Sequence, residues 1–159
     1  MVFYITSDKV LNGHIDHIDI GTETDVRIIG CKDLVKLPCW QNVIKVKCYN
    51  CPGLVTLPCW PNIKEVYFSY CHGLLSLPNW PIVTKVVIRN CRSLLSLSNW
   101  QNVKEVYCKD CPRLLFVPYW SHYVKIECKN CPNIQKQAPL VMLQTDYLQS
   151  AFVPEFLNL

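Results

Sequence analysis

The sequence predicts a β-rich solenoid, a stack of twenty-residue coils that each add one short strand to a parallel sheet. The first observation behind this fold class is repetition. The segment 43–60, VIKVKCYNCPGLVTLPCW, returns from Ile63 at an offset of twenty, again from Val83 and Val103, and more loosely from Tyr123. The second is that apolar residues fill the same slots in each copy. The third is that a tryptophan closes most copies, with a proline two places before it.

The opening residues of each copy alternate like a strand with one buried face. In the copy that begins at Val43, Val46 and Cys48 are apolar, whereas Lys45 and Lys47 are charged. Successive side chains of a strand point to opposite faces. The apolar pair is therefore predicted to face the interior, and the lysines are predicted to face away from it.

Prolines define the rest of each coil. Pro52 follows the cysteine at the strand end and has no amide hydrogen to continue the ladder. Pro58 belongs to a second column, in which Ser98 is the exception, and fixes an extended return path. Twenty residues with these prolines leave no room for an outer helix, so we expect little or no helix on that side.

The chain divides into three parts in this interpretation. Residues 1–22 contain an apolar segment and the turn pair Asn12-Gly13, which predicts an N-terminal β cap. Residues 23–134 form the solenoid. Residues 135–159 lose the repeat phase and show helical spacing, which predicts a C-terminal cap with a short helix or, alternatively, an imperfect further coil. Either cap is a candidate homodimer contact, since sheet ends are natural association edges.

The repeat pattern, LxxLxLxxCxxLxxLPxW with other apolar residues in several leucine slots, resembles the leucine-rich repeat family in its short, cysteine-bearing form. It is most similar to the LP-repeat arrays of bacterial effector proteins and to the CPxLxxLP arrays of giant amoeba-infecting viruses. The resemblance implies a right-handed, curved solenoid whose concave parallel sheet binds other proteins. The tryptophan at the end of each coil, where such arrays often have leucine, is a departure from that pattern.

Composition restricts the class of protein. Hydrophobic residues make up 50% of the chain and charged residues 18%, which excludes wholesale disorder. The formal net charge of +4 is too small for a nucleic-acid-binding tail or a polybasic membrane anchor. The N-terminal apolar run is too short for a secretory signal, and no apolar stretch is long enough to span a membrane. We expect a cytoplasmic protein, in the host cytoplasm if the viral or effector resemblance holds.

The eleven cysteines are predicted to be reduced, because their number is odd and no export signal accompanies them. Cys39 and Cys59, beside the tryptophans, are expected to be the most exposed. The slot of Cys48 holds Phe68 and Ile88 in the next copies, which is typical of a packing position. No metal or other cofactor is therefore predicted. The alternative is a zinc site where two CxxC pairs stack: Cys108, Cys111, Cys128 and Cys131.

The tryptophan column suggests either an aromatic ligand surface or a buried stack that closes each coil. We favour the buried stack, because an indole contributes on the order of 150–250 Å² of burial. The column comprises Trp40, Trp60, Trp80, Trp100 and Trp120.

The strand face that points away from the interior carries the candidate binding residues. Its first column alternates in sign from Asp25 to Lys125 and is expected to neutralise itself. Its second column is less regular and contains tyrosine and an exposed valine, which are typical of interfaces. Basic residues lie beside it and favour an acidic protein partner over a nucleic acid. The predicted contact residues are Lys47, Tyr67, Val87, Tyr107, Arg89, Lys109 and Lys129.

The chain has no glycine-rich phosphate loop, no nucleophile elbow and no paired catalytic carboxylates, so no enzymatic activity is predicted. The function predicted is a protein–protein interaction module that binds its partner through the concave sheet. One alternative, implied by the effector resemblance, is the substrate-recognition part of a ubiquitin-ligase-like effector. A further alternative is a zinc- or nucleic-acid-binding protein.

Overall fold

A computed structural model describes residues 2–120 and 123–136. Its strands are β1 Val2–Thr6, β2 Asp25–Ile29, β3 Lys45–Tyr49, β4 Glu65–Ser69, β5 Lys85–Arg89, β6 Glu105–Lys109, β7 Phe116–Val117, β8 Lys125–Lys129 and β9 Gln135–Lys136. The main feature is a seven-stranded parallel sheet in the order β1-β2-β3-β4-β5-β6-β8, so each coil adds its strand next to the preceding one. The described residues contain one 3-10 helix, Ser7–Lys9, and no α-helix. This parallel stack confirms the predicted fold class.

The strands pair so that equivalent repeat residues are neighbours. Val46 of β3 pairs with Val66 of β4, and the same slot continues through every coil. The N-terminal segment joins this sheet, because Val2 of β1 pairs with Asp25 of β2. Asn12 and the following glycine then form a tight turn, closed by backbone hydrogen bonds between Leu11 and His14.

Side chains on the inner face of the sheet form the core. Val46 and Cys48 have no exposed surface, whereas Lys45 and Lys47 beside them are half-buried. The same alternation occurs in β2, β4 and β6, and β5 departs from it only at Val87, which is buried as well. The apolar columns thus bury one another from coil to coil, as the repeat pattern predicts.

The cysteines at the strand ends line this interior as a ladder. The thiol of Cys51 donates to the carbonyl of Tyr49 with a sulfur–oxygen distance of 3.5 Å, and the thiol of Cys111 donates to the carbonyl of Lys109 at 3.4 Å. Burial raises the pKa of Cys111 to about 11, which keeps this thiol protonated as a donor. None of the eleven cysteines, all of which lie within the described residues, forms a disulfide.

The zinc alternative has no geometric support in the part of the chain that the structure describes. No three His, Cys, Asp or Glu side chains there are grouped so that they could hold a metal ion. Of the cysteines considered for such a site, Cys108 and Cys111 are buried in the core, Cys131 is half-buried and Cys128 is exposed.

The five tryptophans form a continuous buried stack. Neighbouring rings lie 5.7–6.3 Å apart between centroids, at interplanar angles of 3–12°, and no ring is more than 8% exposed. The indole nitrogen of Trp80 donates to the carbonyl of Pro58 in the preceding coil at 3.0 Å, and Trp60 donates to Pro38 at 2.9 Å. The proline column therefore supplies an acceptor for the tryptophan column, and the buried interpretation is confirmed.

The last ring of the stack lacks this hydrogen bond. Trp120 Nε1 is buried and has no hydrogen-bond partner among the described residues. The residue in the position of the acceptor is Ser98, the one exception in the proline column, and its hydroxyl donates to the carbonyl of Leu77.

The outer side of the coils is extended. Lys36 and Thr56 form an isolated parallel bridge there, and β7 pairs with β9 in a second, two-stranded sheet. Regular pairing thus reaches Gln135–Lys136, just beyond the solenoid boundary predicted from the sequence. The predicted C-terminal helix falls within residues 137–159, which lie outside the described residues.

Replacing Trp80 with Phe is expected to lower the free energy of unfolding by about 1 kcal/mol more than replacing Trp120 with Phe. Both changes replace one indole of the same stack with a smaller phenyl ring, but only the change at Trp80 removes an indole hydrogen bond. Urea denaturation followed by circular dichroism measures the difference. An equal or larger loss at position 120 would contradict the role assigned to the proline carbonyls.

Candidate interaction surface

The seven predicted contact residues lie together on the outward face, defined as the outward-pointing side chains of β3, β4, β5, β6 and β8 together with the residues directly after these strands. Two adjoining open depressions, of about 410 and 460 Å³, occur on this face. They share Ser69, Arg89 and Tyr107 in their walls and so form one continuous surface. The first is also lined by Lys47, Tyr67 and Val87, and the second by Lys109 and Lys129.

The first outward column is largely neutralised by its own ion pairs. Lys45 Nζ lies 2.6 Å from Glu65 Oε2, and Lys85 Nζ lies 2.7 Å from Glu105 Oε2. The hydrogen bonds from these lysines lower the pKa of both glutamates. The alternation of charge predicted from the sequence is therefore a set of contacts between neighbouring strands.

Outside the first column, three cations on the outward face are not neutralised in this way. Within the described ranges, Lys47, Arg89 and Lys109 have no carboxylate at ion-pair distance. Arg89 is the partner of Lys109 on the next strand, and Lys109 is the partner of Lys129. Lys129 is paired with Glu127 at 2.6 Å. The outward face thus keeps a column of like charges on adjacent strands.

Two tyrosine rings on this face are held by lysines. The ammonium groups of Lys45 and Lys47 lie 5.3 and 5.0 Å from the centroid of the Tyr67 ring. The Tyr67 hydroxyl donates to Glu65 at 2.9 Å. Burial, followed by this carboxylate, raises the pKa of Tyr67 to about 12, so the hydroxyl stays a donor at neutral pH. The ring is therefore fixed before any partner arrives, which lowers the ordering cost of binding.

The second ring is held in the same manner. Lys85 and Lys125 lie 5.6 and 5.4 Å from the centroid of the Tyr107 ring. The hydrogen bond with Tyr107 raises the pKa of Lys125, which stays charged. Tyr67 and Tyr107 are therefore two rigidly held aromatic side chains, and strand β5 places Val87 between them.

The expectation that Val87 is exposed is wrong. Its side chain is 8% exposed, because β5 places it between Tyr67 and Tyr107 on the neighbouring strands. Val87 forms the floor of the first depression and separates the two rings. Its accessible contact area is correspondingly small.

Tyr70 also lines the second depression, and the sequence reasoning missed it. It occupies the slot directly after the strand, where φ is 54° at Asn50, 52° at Asn90 and 71° at Gly30. Glycine and asparagine tolerate this left-handed conformation, whereas tyrosine does so only at a cost. Tyr70 nevertheless has a φ of 57° and is 50% exposed, so burial does not offset that cost. Comparison of this slot across the copies would have identified it.

The side chain of Tyr70 packs edge-on against His72, with ring centroids 6.2 Å apart and an interplanar angle of 82°. This contact holds the phenol beside the cations of the second depression, among them Arg89 and Lys109. The aromatic content of the outward face is thus larger than its two predicted tyrosines.

Comparison of the chain with protein-family models, with curated proteins and with solved structures gave no match. In residues 2–120 and 123–136, no helix has the length and apolar character required to cross a bilayer. The function of the chain is therefore inferred from the geometry and chemistry of the outward face.

Replacing Tyr70 with Asn is expected to raise the free energy of unfolding by about 1 kcal/mol, because asparagine relieves the left-handed strain. The matched control is Asn90→Tyr, which puts the strain into the next coil and is expected to lower it by a similar amount. Chemical denaturation of both variants measures the changes. A loss of stability in Tyr70→Asn would show that the ring contributes more by packing than its conformation costs.

Proposed function

We propose that the chain is a non-enzymatic interaction module of the leucine-rich repeat type, which binds an acidic, extended segment of a protein partner along its outward face. The observation that carries the proposal is the column Arg89, Lys109 and Lys129. Three cations stand on adjacent strands, and only the last has a carboxylate partner in the described part of the chain. Like charges directly opposite each other destabilise a sheet, and the carboxylates of a partner would relieve that repulsion.

The rigid tyrosines support a protein partner. Aromatic residues and arginine dominate the binding energy of protein interfaces. Here Tyr67 and Tyr107 are held in place, and Arg89 lies in the wall that both depressions share. A peptide that crosses the strands would place apolar groups against the rings and acidic groups against the cations.

The size of the face sets the length of the segment. Five strands, β3 to β6 and β8, carry the contact residues. Strands lie about 4.8 Å apart, so these five span about 19 Å. An extended chain advances about 3.3 Å per residue, and about six residues cover that distance.

The leucine-rich repeat assignment rests on the repeat itself. The parallel sheet with one strand per coil and the cysteine ladder inside the strand ends are consistent with the short, cysteine-bearing form of that family. The tryptophan stack is not part of that family pattern; here its buried rings close each coil. Under this assignment the sheet is the binding surface.

Selection from a random peptide display library is expected to enrich acidic segments that contain an apolar residue. Arg89→Glu should weaken the binding of a selected peptide about 10–100-fold, because it places a repelling charge in the shared wall. The matched control is Arg113→Glu, which makes the same charge change at an exposed turn residue outside both depressions. Isothermal titration calorimetry at two salt concentrations measures the affinities.

Equal weakening by both arginine variants would contradict a localised site. Tyr67→Ala and Tyr107→Ala test the aromatic part, and unchanged affinity in both would remove these rings from the interface. Binding of a single-stranded oligonucleotide, with no enrichment of acidic peptides and a steep salt dependence, would instead favour a nucleic-acid partner.

A further inference from the structure

Cys39 and Cys59 are two exposed thiols at the same slot of adjacent coils. They lie directly before Trp40 and Trp60 of the tryptophan stack, outside the strands that form the outward face. In the following coils this slot holds Asn79, Asn99 and Tyr119. A second thiol is therefore present only where the first two tryptophan-bearing coils meet.

The backbone around these cysteines holds the two coils at a short distance. On one side, Lys36 and Thr56 form a parallel bridge. On the other side, the indole of Trp60 donates to the carbonyl of Pro38 at 2.9 Å. Between such contacts, the expected separation of equivalent residues lies between the roughly 4.8 Å of paired strands and the 6.3 Å between the ring centroids of Trp40 and Trp60. That separation falls within the Cα–Cα range of about 4.4–6.8 Å that a disulfide spans.

The side chains are close to a bridging arrangement. Cys39 Sγ points toward the next coil and lies 3.7 Å from the carbonyl oxygen of Cys59. Cys59 Sγ lies 3.8 Å from the carbonyl oxygen of Asn79, one coil further on. Rotation of the Cys59 side chain about its Cα–Cβ bond turns this sulfur back toward Cys39, and its exposed position leaves room for that rotation.

We propose that Cys39 and Cys59 are a redox modification site, which forms a reversible intramolecular disulfide in reaction with a small disulfide oxidant such as glutathione disulfide. The amide of Gln41 donates to Cys39 Sγ at 3.6 Å and orients this sulfur, so Cys39 is assigned the first attack. Its attack on glutathione disulfide forms a mixed disulfide and releases one glutathione thiolate. The Cys59 thiolate then attacks the Cys39 sulfur and releases the second.

The step balances in atoms and electrons. The two protein thiols lose two electrons and two protons, and one S–S bond forms between them. Glutathione disulfide takes up these electrons and protons, its S–S bond breaks, and two glutathione molecules result. The disulfide product covalently joins two consecutive coils next to Trp40 and Trp60, the first two rings of the tryptophan stack.

The other cysteines are less suited to this reaction. Burial raises the pKa of Cys48 and Cys111 and shields both from a dissolved oxidant. Cys128 is exposed, but Cys108 in the same slot of the preceding coil is 2% exposed. Cys39 and Cys59 are thus the one pair of cysteines at the same slot of adjacent described coils in which both residues are exposed.

The test treats the full chain with glutathione disulfide and measures its intact mass and its number of alkylatable thiols under denaturing conditions. The expected product is a monomer lighter by about 2 Da, the two hydrogens lost, with the thiol count lowered by two from eleven. Cys39→Ser and Cys59→Ser should each abolish this product. The control Cys128→Ser should form it as readily as the wild type, and dithiothreitol should reverse it.

Each other outcome overturns the proposal. A stable glutathione adduct on Cys39 or Cys59 would show that the second thiol cannot reach the first. A dimer on a non-reducing gel would show that the pairing is intermolecular. The same loss of two thiols in Cys39→Ser or Cys59→Ser would place the disulfide elsewhere. Circular dichroism of both serine variants confirms that they retain the fold.

Discussion

In-register stacking of identical coils is the constraint on which the rest of the structure depends. Because Val46 pairs with Val66 and Trp60 stacks on Trp80, each side chain meets its own counterpart in the next coil. An apolar residue repeated inward is therefore buried on two sides by similar groups. A charge repeated outward would meet a like charge, and the first outward column avoids this by alternating lysine with glutamate.

The sequence was sufficient for every feature that this nearest-neighbour rule controls. The strands, the inward columns, the tryptophan stack and the ion pairs of the first outward column all follow from residues spaced by twenty. The joining of β1 to the sheet was harder to predict, because Val2 pairs with Asp25 outside the repeat spacing. The same holds for the indole of Trp120, whose nitrogen has no hydrogen-bond partner in the described part of the chain although the repeat places the Ser98 carbonyl in the acceptor slot.

The candidate surface was predictable in position but not in detail. The irregular second column indicated which strands to consider, and its seven residues line two adjoining depressions. The burial of Val87 depends on the rings of Tyr67 and Tyr107, one on each neighbouring strand, and the residue types along a single strand do not reveal this. Tyr70 was missed because its significance is conformational: the slot after each strand is left-handed, as the glycine and asparagines in other copies indicate, and tyrosine departs from that pattern.

Two features that oppose stability occur on the same surface. The column of Arg89, Lys109 and Lys129 places like charges on adjacent strands, and Tyr70 adopts a backbone conformation that disfavours its side chain. The inner columns contain no comparable departure, since every inward slot from β2 to β6 is apolar and buried. Solenoid stacking alone would accept asparagine at position 70 and alternating charge in the basic column. The basic column and Tyr70, both unfavourable for folding, lie around one pair of depressions, which is the pattern expected from selection for binding and not for folding.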